Sequence, residues 1–180
     1  PCGTLFPYTT LFRSGPILMG LCRGGAVSVG MFAVAGNAPA AVWIAAGVTA
    51  LYITALTVIA AKEMEDYARK YVLYLPVAVI MFGTAFAVIL SKPSGYSWFS
   101  LVFFASAAAY ILVAAVRIQK KGQPIPPFIG QLIKTHIIMQ CGWILFFYPG
   151  LELQSMAYIV SAFIALRTGG SILSRFFYSS

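Results

Sequence analysis

A short acidic loop holds three of the four carboxylates in the chain. It reads KEMEDYARK over residues 62–70 and places Glu63 and Asp66 three residues apart. A helix continuing through the loop would put both carboxylates on one face. Mg²⁺ binds one or two carboxylates together with substrate phosphates, so this pair could hold a metal–phosphate complex. The alternative is a solvated helix end, in which Asp66 pairs with Lys62 and Lys70, each four residues away.

Arg23 lies inside an apolar stretch, where a charged side chain is costly and usually faces a cavity or a partner. A guanidinium binds phosphate through two parallel hydrogen bonds, which predicts an anion clamp. The alternative is that its long side chain extends to the cytoplasmic interface, about two turns away. The neighbouring Gly20 and Gly24 form a small-xxx-small pair, which predicts the close approach of another helix.

Three further polar residues lie in apolar stretches toward the C-terminus. Lys134 follows Gln131 and could reach the same cavity as Arg23, or extend to the interface. His136 is the one histidine in the chain and has no acidic neighbour, which favours a buried or interfacial imidazole with satisfied hydrogen bonds. Arg167 is expected to anchor its helix at the interface. A single histidine cannot supply two axial heme ligands, and the three cysteines show no metal-ligand spacing.

These residues are set in a chain far more apolar than a soluble domain. Hydrophobic residues make up 61% and charged residues 9% of its 180 positions, whereas soluble domains average about 45–50% and about 25%. The apolar runs have the ~20-residue length of spanning helices and lack the alternation of barrel strands. The sequence therefore predicts an all-α, polytopic membrane helix bundle. Six spans are predicted, the second to fourth being the most apolar: 16–36, 40–61, 71–91, 96–116, 128–148 and 153–174.

A polar stripe follows the second predicted span. Thr49, Tyr52, Leu56, Ile59 and Glu63 recur at spacings of three or four residues and so share one helix face. This face could form a wall that leads a lipid chain to the charged loop. Alternatively, Thr49 and Tyr52 form hydrogen bonds to a neighbouring helix.

The net charge of +8 is interpreted as a topology signal, and no nucleic-acid partner is predicted. With six spans, the loops 62–70 and 117–127 and the C-terminal tail share one face and carry seven Lys and Arg residues, whereas the opposite face carries only Lys92. The positive-inside rule predicts that both chain ends and the two basic loops are cytoplasmic. A bacterial-type inner membrane is the expected location.

Residues 1–14 differ in composition from everything that follows and lack the basic, apolar and small order of a signal peptide. The stretch PYTTLFRS is similar to a translated sequencing adapter, so these residues are expected to be a non-native tail. Residues 15–180 are expected to form one membrane domain, truncated at its N-terminus.

The segment GPILMGLCRGG, residues 15–25, resembles a stretch of the UbiA-superfamily intramembrane prenyltransferases. It is closest to a divergent subgroup in which a Met-Gly-Leu-Cys-Arg run opens a central helix. Residues 52–63, 126–134 and 175–180 are also similar to that superfamily. Together these stretches extend the resemblance over most of residues 15–180, in order.

The resemblance implies a UbiA-like fold that transfers a prenyl group from a prenyl diphosphate to an acceptor. It implies Mg²⁺ held by two acidic motifs on the cytoplasmic side. The first would lie before Gly15, and the second would be formed by Glu63 and Asp66, in place of the usual Asp-x-x-x-Asp. Arg23 and Lys134 would bind the diphosphate, membrane lipid would surround the helices, and no heme is expected. The alternative function is a non-catalytic membrane protein that handles or transports a lipid or its precursor.

Overall fold

The computed structural model describes the backbone of residues 8–35, 40–61, 70–91, 98–121, 126–147 and 152–178. Within these residues the fold is entirely helical. The helices are α1 (Tyr8–Ala35), α2 (Ala40–Ala61), α3 (Leu75–Ser91), α4 (Trp98–Lys121), α5 (Pro126–Phe147) and α6 (Leu153–Tyr178). A short 3₁₀ helix, Lys70–Tyr74, precedes α3. The predicted all-α helical bundle is confirmed.

Three helices among the described residues are long and apolar enough to cross a membrane: Val42–Ala61, Tyr71–Leu90 and Trp98–Lys120. They coincide with the three most apolar segments of the sequence. Large apolar side chains such as Phe82, Ile89 and Leu166 are exposed on the outer helix faces, as expected of a surface that contacts lipid. These features indicate a membrane-embedded protein, and its orientation and six-span topology stay predictions.

The four helices α2 to α5 form a ring, in which each helix packs against the next and α5 returns to α2. The centre of the ring is filled by buried side chains, among them Tyr52, Ile80, Phe104 and Trp143. Outside the ring, α1 packs against α2 and α6 packs against α5. Because α5 lies between α2 and α6, it presents one side to each of them.

The contact between α1 and α2 depends on small residues. A Cβ atom on Gly24 would lie 2.7 Å from the carbonyl oxygen of Ala46 and 2.9 Å from the Cβ of Ala50. A Cβ atom on Gly20 would collide with the Ala50 carbonyl and the Thr54 hydroxyl. The predicted close approach at this small-xxx-small pair is confirmed. Since Gly20 meets the later residues of α2 and Gly24 the earlier ones, the two helices are antiparallel.

Several helix bounds differ from the sequence prediction, among them the end of α6 at Tyr178, which was expected at residue 174. The first helix begins at Tyr8, ahead of the expected residue 16, and contains Pro16 as an internal residue. Proline removes one backbone hydrogen bond, but the adjacent turns and a neighbouring helix can sustain the segment in an apolar setting. The fourth helix continues to Lys121. Arg117 and Lys120 therefore lie on the last turns of α4, and the expected loop 117–127 is shorter than predicted.

An aromatic cluster fixes α5 against α4. The Phe104 and Trp143 ring centroids are 4.7 Å apart, and Trp143 stacks on Phe147 at 5.7 Å. Gly142 makes room for this contact, because a Cβ atom there would lie 3.0 Å from Cε1 of Phe104. This packing holds the rotation of α5, and with it the direction of its polar side chains.

Candidate functional site

Two polar residues of the α2 stripe face α5. Thr49 and Tyr52 are both fully buried. The Tyr52 hydroxyl donates a hydrogen bond of 2.8 Å to the backbone carbonyl oxygen of Leu132. Of the two interpretations of this stripe, the structure confirms the hydrogen bond to a neighbouring helix.

His136 and Gln140 of α5 extend this polar contact. The His136 ring stacks on Tyr52, with centroids 5.6 Å apart and planes 14° apart. The Gln140 amide nitrogen lies 3.1 Å from Nε2 of His136 and 3.5 Å from the Thr49 hydroxyl. An amide that donates to Nε2 leaves the proton of a neutral imidazole on Nδ1. Among the described residues, Nδ1 has no hydrogen-bond partner, so the predicted full satisfaction of His136 is only half met.

Arg23 of α1 lies near this group. Its side chain is exposed, and it is within electrostatic range of His136. We call Arg23, Thr49, Tyr52, His136 and Gln140 the polar cluster. Its members come from α1, α2 and α5, and they lie at a similar height because α1 and α5 both pack on α2.

The polar cluster lies at about half the height of α2. Gly20 and Gly24 contact Ala50, which places the intervening Arg23 near the level of Thr49. From there to the end of α2 at Ala61 is about 18 Å, at 1.5 Å of rise per residue. Half of a ~30 Å hydrocarbon core is ~15 Å. The end of α2 is therefore farther from Arg23 along the helix axis than the two turns expected from the sequence, and α1 also extends well before residue 16.

Lys134 lies on a different side of α5. It precedes His136 by two residues, a rotation of about 200° around the helix. Ile138 and Cys141, which share the side of Lys134 by helical spacing, line a groove against α6. The structure thus places Arg23 within electrostatic range of His136, whereas Lys134 lies on the side of α5 that faces α6.

Arg167 of α6 lies over the ring of Tyr110, with its guanidinium carbon 5.3 Å from the ring centroid. This is the geometry of a cation–π contact and joins α6 to α4. An anchoring role for Arg167 at the interface stays a prediction.

The two predicted metal ligands, Glu63 and Asp66, lie outside the described residues. Within the part of the chain that the structure describes, no three His, Cys, Asp or Glu side chains are grouped closely enough to hold a metal ion. The Mg²⁺ site stays a prediction that rests on the acidic loop.

The sequence interpretation missed His136 and Gln140 as members of one site. The signal was present, since they stand four residues apart on an apolar helix and so share a face. The absence of an acidic neighbour does not isolate His136, because its partners are an amide on its own helix and an aromatic ring on another.

Comparison of the chain with protein-family models, curated proteins and solved structures finds no match. The resemblance to the UbiA superfamily therefore stays a prediction.

Proposed function

We propose that the polar cluster binds the anionic head group of a prenyl diphosphate, and that the protein is an intramembrane prenyltransferase. One observation carries the proposal: Arg23 lies at half the height of an apolar bundle, at the level where Thr49, His136 and Gln140 are joined by hydrogen bonds between α2 and α5. An ionisable residue at that depth normally serves a substrate, an ion or a relay.

The chain's own residues would divide the work of binding. Arg23 would hold phosphate oxygens through its planar fork of N–H donors. His136 offers an Nδ1–H donor that no described residue uses. Tyr52 and Gln140 fix the orientation of the imidazole by stacking and by a hydrogen bond. The prenyl chain would lie along exposed apolar residues of α1 such as Met19, one turn from Arg23.

Transfer also requires stabilisation of the diphosphate as it leaves. Arg23 supplies part of this, because fixed charges act strongly where water is excluded. Mg²⁺ bound through Glu63 and Asp66 would neutralise further negative charge on the leaving group. The apolar helix walls would exclude water from the reacting carbon.

A specific observation favours a second function, a non-catalytic carrier or transporter of a lipid precursor. Arg23 lies about 18 Å along the bundle from the end of α2, where the acidic loop begins. One diphosphate is too short to span that distance. Substrate sites near the middle of the bilayer are typical of transporters, in which Arg23 would act without the metal.

Diphosphate release from geranylgeranyl diphosphate tests the two functions against each other. The protein is reconstituted in lipid nanodiscs that contain a membrane lipid extract as the source of the prenyl acceptor, and diphosphate release is measured with and without Mg²⁺. A transferase predicts Mg²⁺-dependent release that falls at least ~100-fold in Arg23→Gln. Glu63→Gln and Asp66→Asn should lower it by at least ~10-fold. Arg117→Gln removes the same charge from an exposed position on α4 and should change release less than ~2-fold.

The binding of the same compound separates the remaining outcomes. Arg23-dependent binding without any Mg²⁺-dependent release would identify the carrier and remove the transferase. Equal binding by the wild type and Arg23→Gln would overturn both functions.

A further inference from the structure

Gln140 joins the two helices that carry most of the polar cluster. Its amide nitrogen lies 3.1 Å from Nε2 of His136, one turn earlier on α5, and 3.5 Å from the Thr49 hydroxyl on α2. An amide nitrogen has two hydrogens and accepts no hydrogen bond, so it can donate to both of these groups at once. Gln140 therefore links α2 to the imidazole ring of His136.

This hydrogen bond decides where the proton of His136 lies. A charged imidazole has a hydrogen on each nitrogen and cannot accept from an amide, so the bond requires the neutral ring. In the neutral ring one nitrogen carries the hydrogen and the other accepts. Because Nε2 accepts from Gln140, the hydrogen is on Nδ1, which is buried and has no partner among the described residues.

Tyr52 restrains the same ring in a different way. The two rings stack with their planes 14° apart, and the Tyr52 hydroxyl is held by the backbone carbonyl of Leu132. Stacking fixes the plane of the imidazole, and both neutral tautomers fit that plane equally well. The choice between the tautomers then depends on the hydrogen bond from Gln140.

The tautomer determines which ligands the ring can contact. An Nδ1–H donates to an oxygen that has lone pairs, whereas binding a metal ion or accepting from a hydroxyl needs a bare nitrogen. Arg23, which is within electrostatic range of the ring, also offers only donors. The two side chains therefore favour the same kind of ligand, an anion with several acceptor oxygens.

We propose that Gln140 is a positioning residue that makes the polar cluster select anions, because it holds the hydrogen of His136 on Nδ1. Gln140 acts through the imidazole and needs no contact with the ligand. Naming the anion as a diphosphate rests on the function proposed above, whereas the tautomer can be measured without any ligand.

Nitrogen-15 NMR of the ligand-free protein in nanodiscs tests the tautomer. His136 is the one histidine in the chain, so labelling with nitrogen-15 histidine gives one pair of ring signals. Spectra are recorded at about pH 8, above the pKa of ~6.5 of an unperturbed imidazole. The wild type should carry the hydrogen on Nδ1. A wild-type hydrogen on Nε2 would overturn the proposal, because the Gln140 amide would then be accepting.

Substitution of Gln140 tests whether it sets the tautomer. Gln140→Met removes the amide with little change of shape and should lower the fraction of rings with the hydrogen on Nδ1. Gln131→Met makes the same change on another side of α5, five residues before His136, and should leave the ring signals as in the wild type. Both variants are first checked for a monodisperse elution profile. An unchanged tautomer in Gln140→Met, or an equal change in Gln131→Met, would overturn the proposal.

Ligand affinity separates this role from the function that it serves. Gln140→Met should weaken the binding of geranylgeranyl diphosphate at least ~10-fold, as expected when a hydrogen bond to a charged group is lost, and should leave the affinity for geranylgeraniol unchanged. Equal diphosphate binding by the wild type and by a Gln140→Met variant with an altered tautomer would overturn the selective role and leave that of Arg23 intact. A wild type with the Nδ1 hydrogen that binds no diphosphate would remove the proposed function and support the tautomer.

Discussion

The two sides of α5 differ in the surroundings that they give to a nearby arginine. Toward α2, His136 and Gln140 form hydrogen bonds and ring contacts, and Arg23 joins them at half the height of the bundle. Toward α6, the groove is apolar, and Arg167 lies over an aromatic ring. The side toward α2 is a network of polar groups, and the side toward α6 is an apolar groove that contains Arg167.

This difference teaches that neighbouring side chains decide what an intramembrane arginine can do. An arginine close to hydrogen-bonding side chains is suited to a polar ligand, because ionisable residues inside a membrane bundle usually serve a substrate, an ion or a relay. An arginine that lies over an aromatic ring, as Arg167 lies over Tyr110, already has a cation–π contact for its charge. Arg23 and Arg167 have the same chemistry and are expected to have different roles.

The largest expected effect concerns the depth of Arg23. Replacing Arg23 with Leu should make insertion of the α1 segment more favourable by about 3 kcal/mol, the value for an arginine at the centre of a spanning helix. The measurement is the inserted fraction of that segment in a microsomal glycosylation assay. Arg117→Leu near the end of α4 is the control and should change insertion by less than about 1 kcal/mol. Equal effects of the two substitutions would place Arg23 near the interface.

A second prediction disrupts the contact between α1 and α2 and leaves the α6 side of α5 intact. Gly24→Val should destabilise the protein by about 2 kcal/mol, because a side chain there meets the backbone of α2. Thermal unfolding in detergent measures the change. Gly25→Val is the matched control, since nothing lies within 4 Å of a Cβ atom at Gly25.

Prenyl diphosphate binding is the second readout for Gly24→Val. Because Gly24 sets the approach of α1 to α2, binding should be lost in this variant and kept in Gly25→Val. Equal binding by the two variants would show that the α1–α2 contact does not position the site.

The smallest expected effect concerns the hydrogen bond between α2 and α5. Tyr52→Phe removes the bond to the Leu132 carbonyl and should cost about 0.6 kcal/mol, the average for such bonds between membrane helices. Thermal unfolding measures it against Tyr158→Phe, an exposed hydroxyl on α6. A cost above about 2 kcal/mol would show that Tyr52 also holds His136 in place.

Much of the fold follows from the sequence, because apolar length and small-residue spacing are local signals. The three most apolar segments are the helices that can span a membrane, and the Gly20 and Gly24 pair marks a real helix contact. The start of α1 was not predictable in this way. Proline is common at the first position of a helix and is also tolerated inside a membrane helix, so Pro16 does not mark where α1 begins.

The site was only partly predictable, because it depends on rotation and register. Arg23 and Tyr52 stood out as polar residues in apolar segments, and both belong to the polar cluster. Lys134 stood out equally, but its rotation relative to His136 directs it toward α6. That rotation is held by the contact of Trp143 with Phe104, and no local pattern reveals it.

The central claim is that the polar cluster selects a diphosphate head group through Arg23. The most direct test is to compare the dissociation constants of geranylgeranyl diphosphate and geranylgeraniol, which differ only in that head group, in the wild type and in Arg23→Gln. The diphosphate should bind the wild type at least ~100-fold more tightly than the alcohol, and Arg23→Gln should remove at least ~10-fold of this preference, as expected for a lost charge-assisted hydrogen bond. Affinity for the alcohol should stay the same. An unchanged preference for the diphosphate in Arg23→Gln would contradict the account.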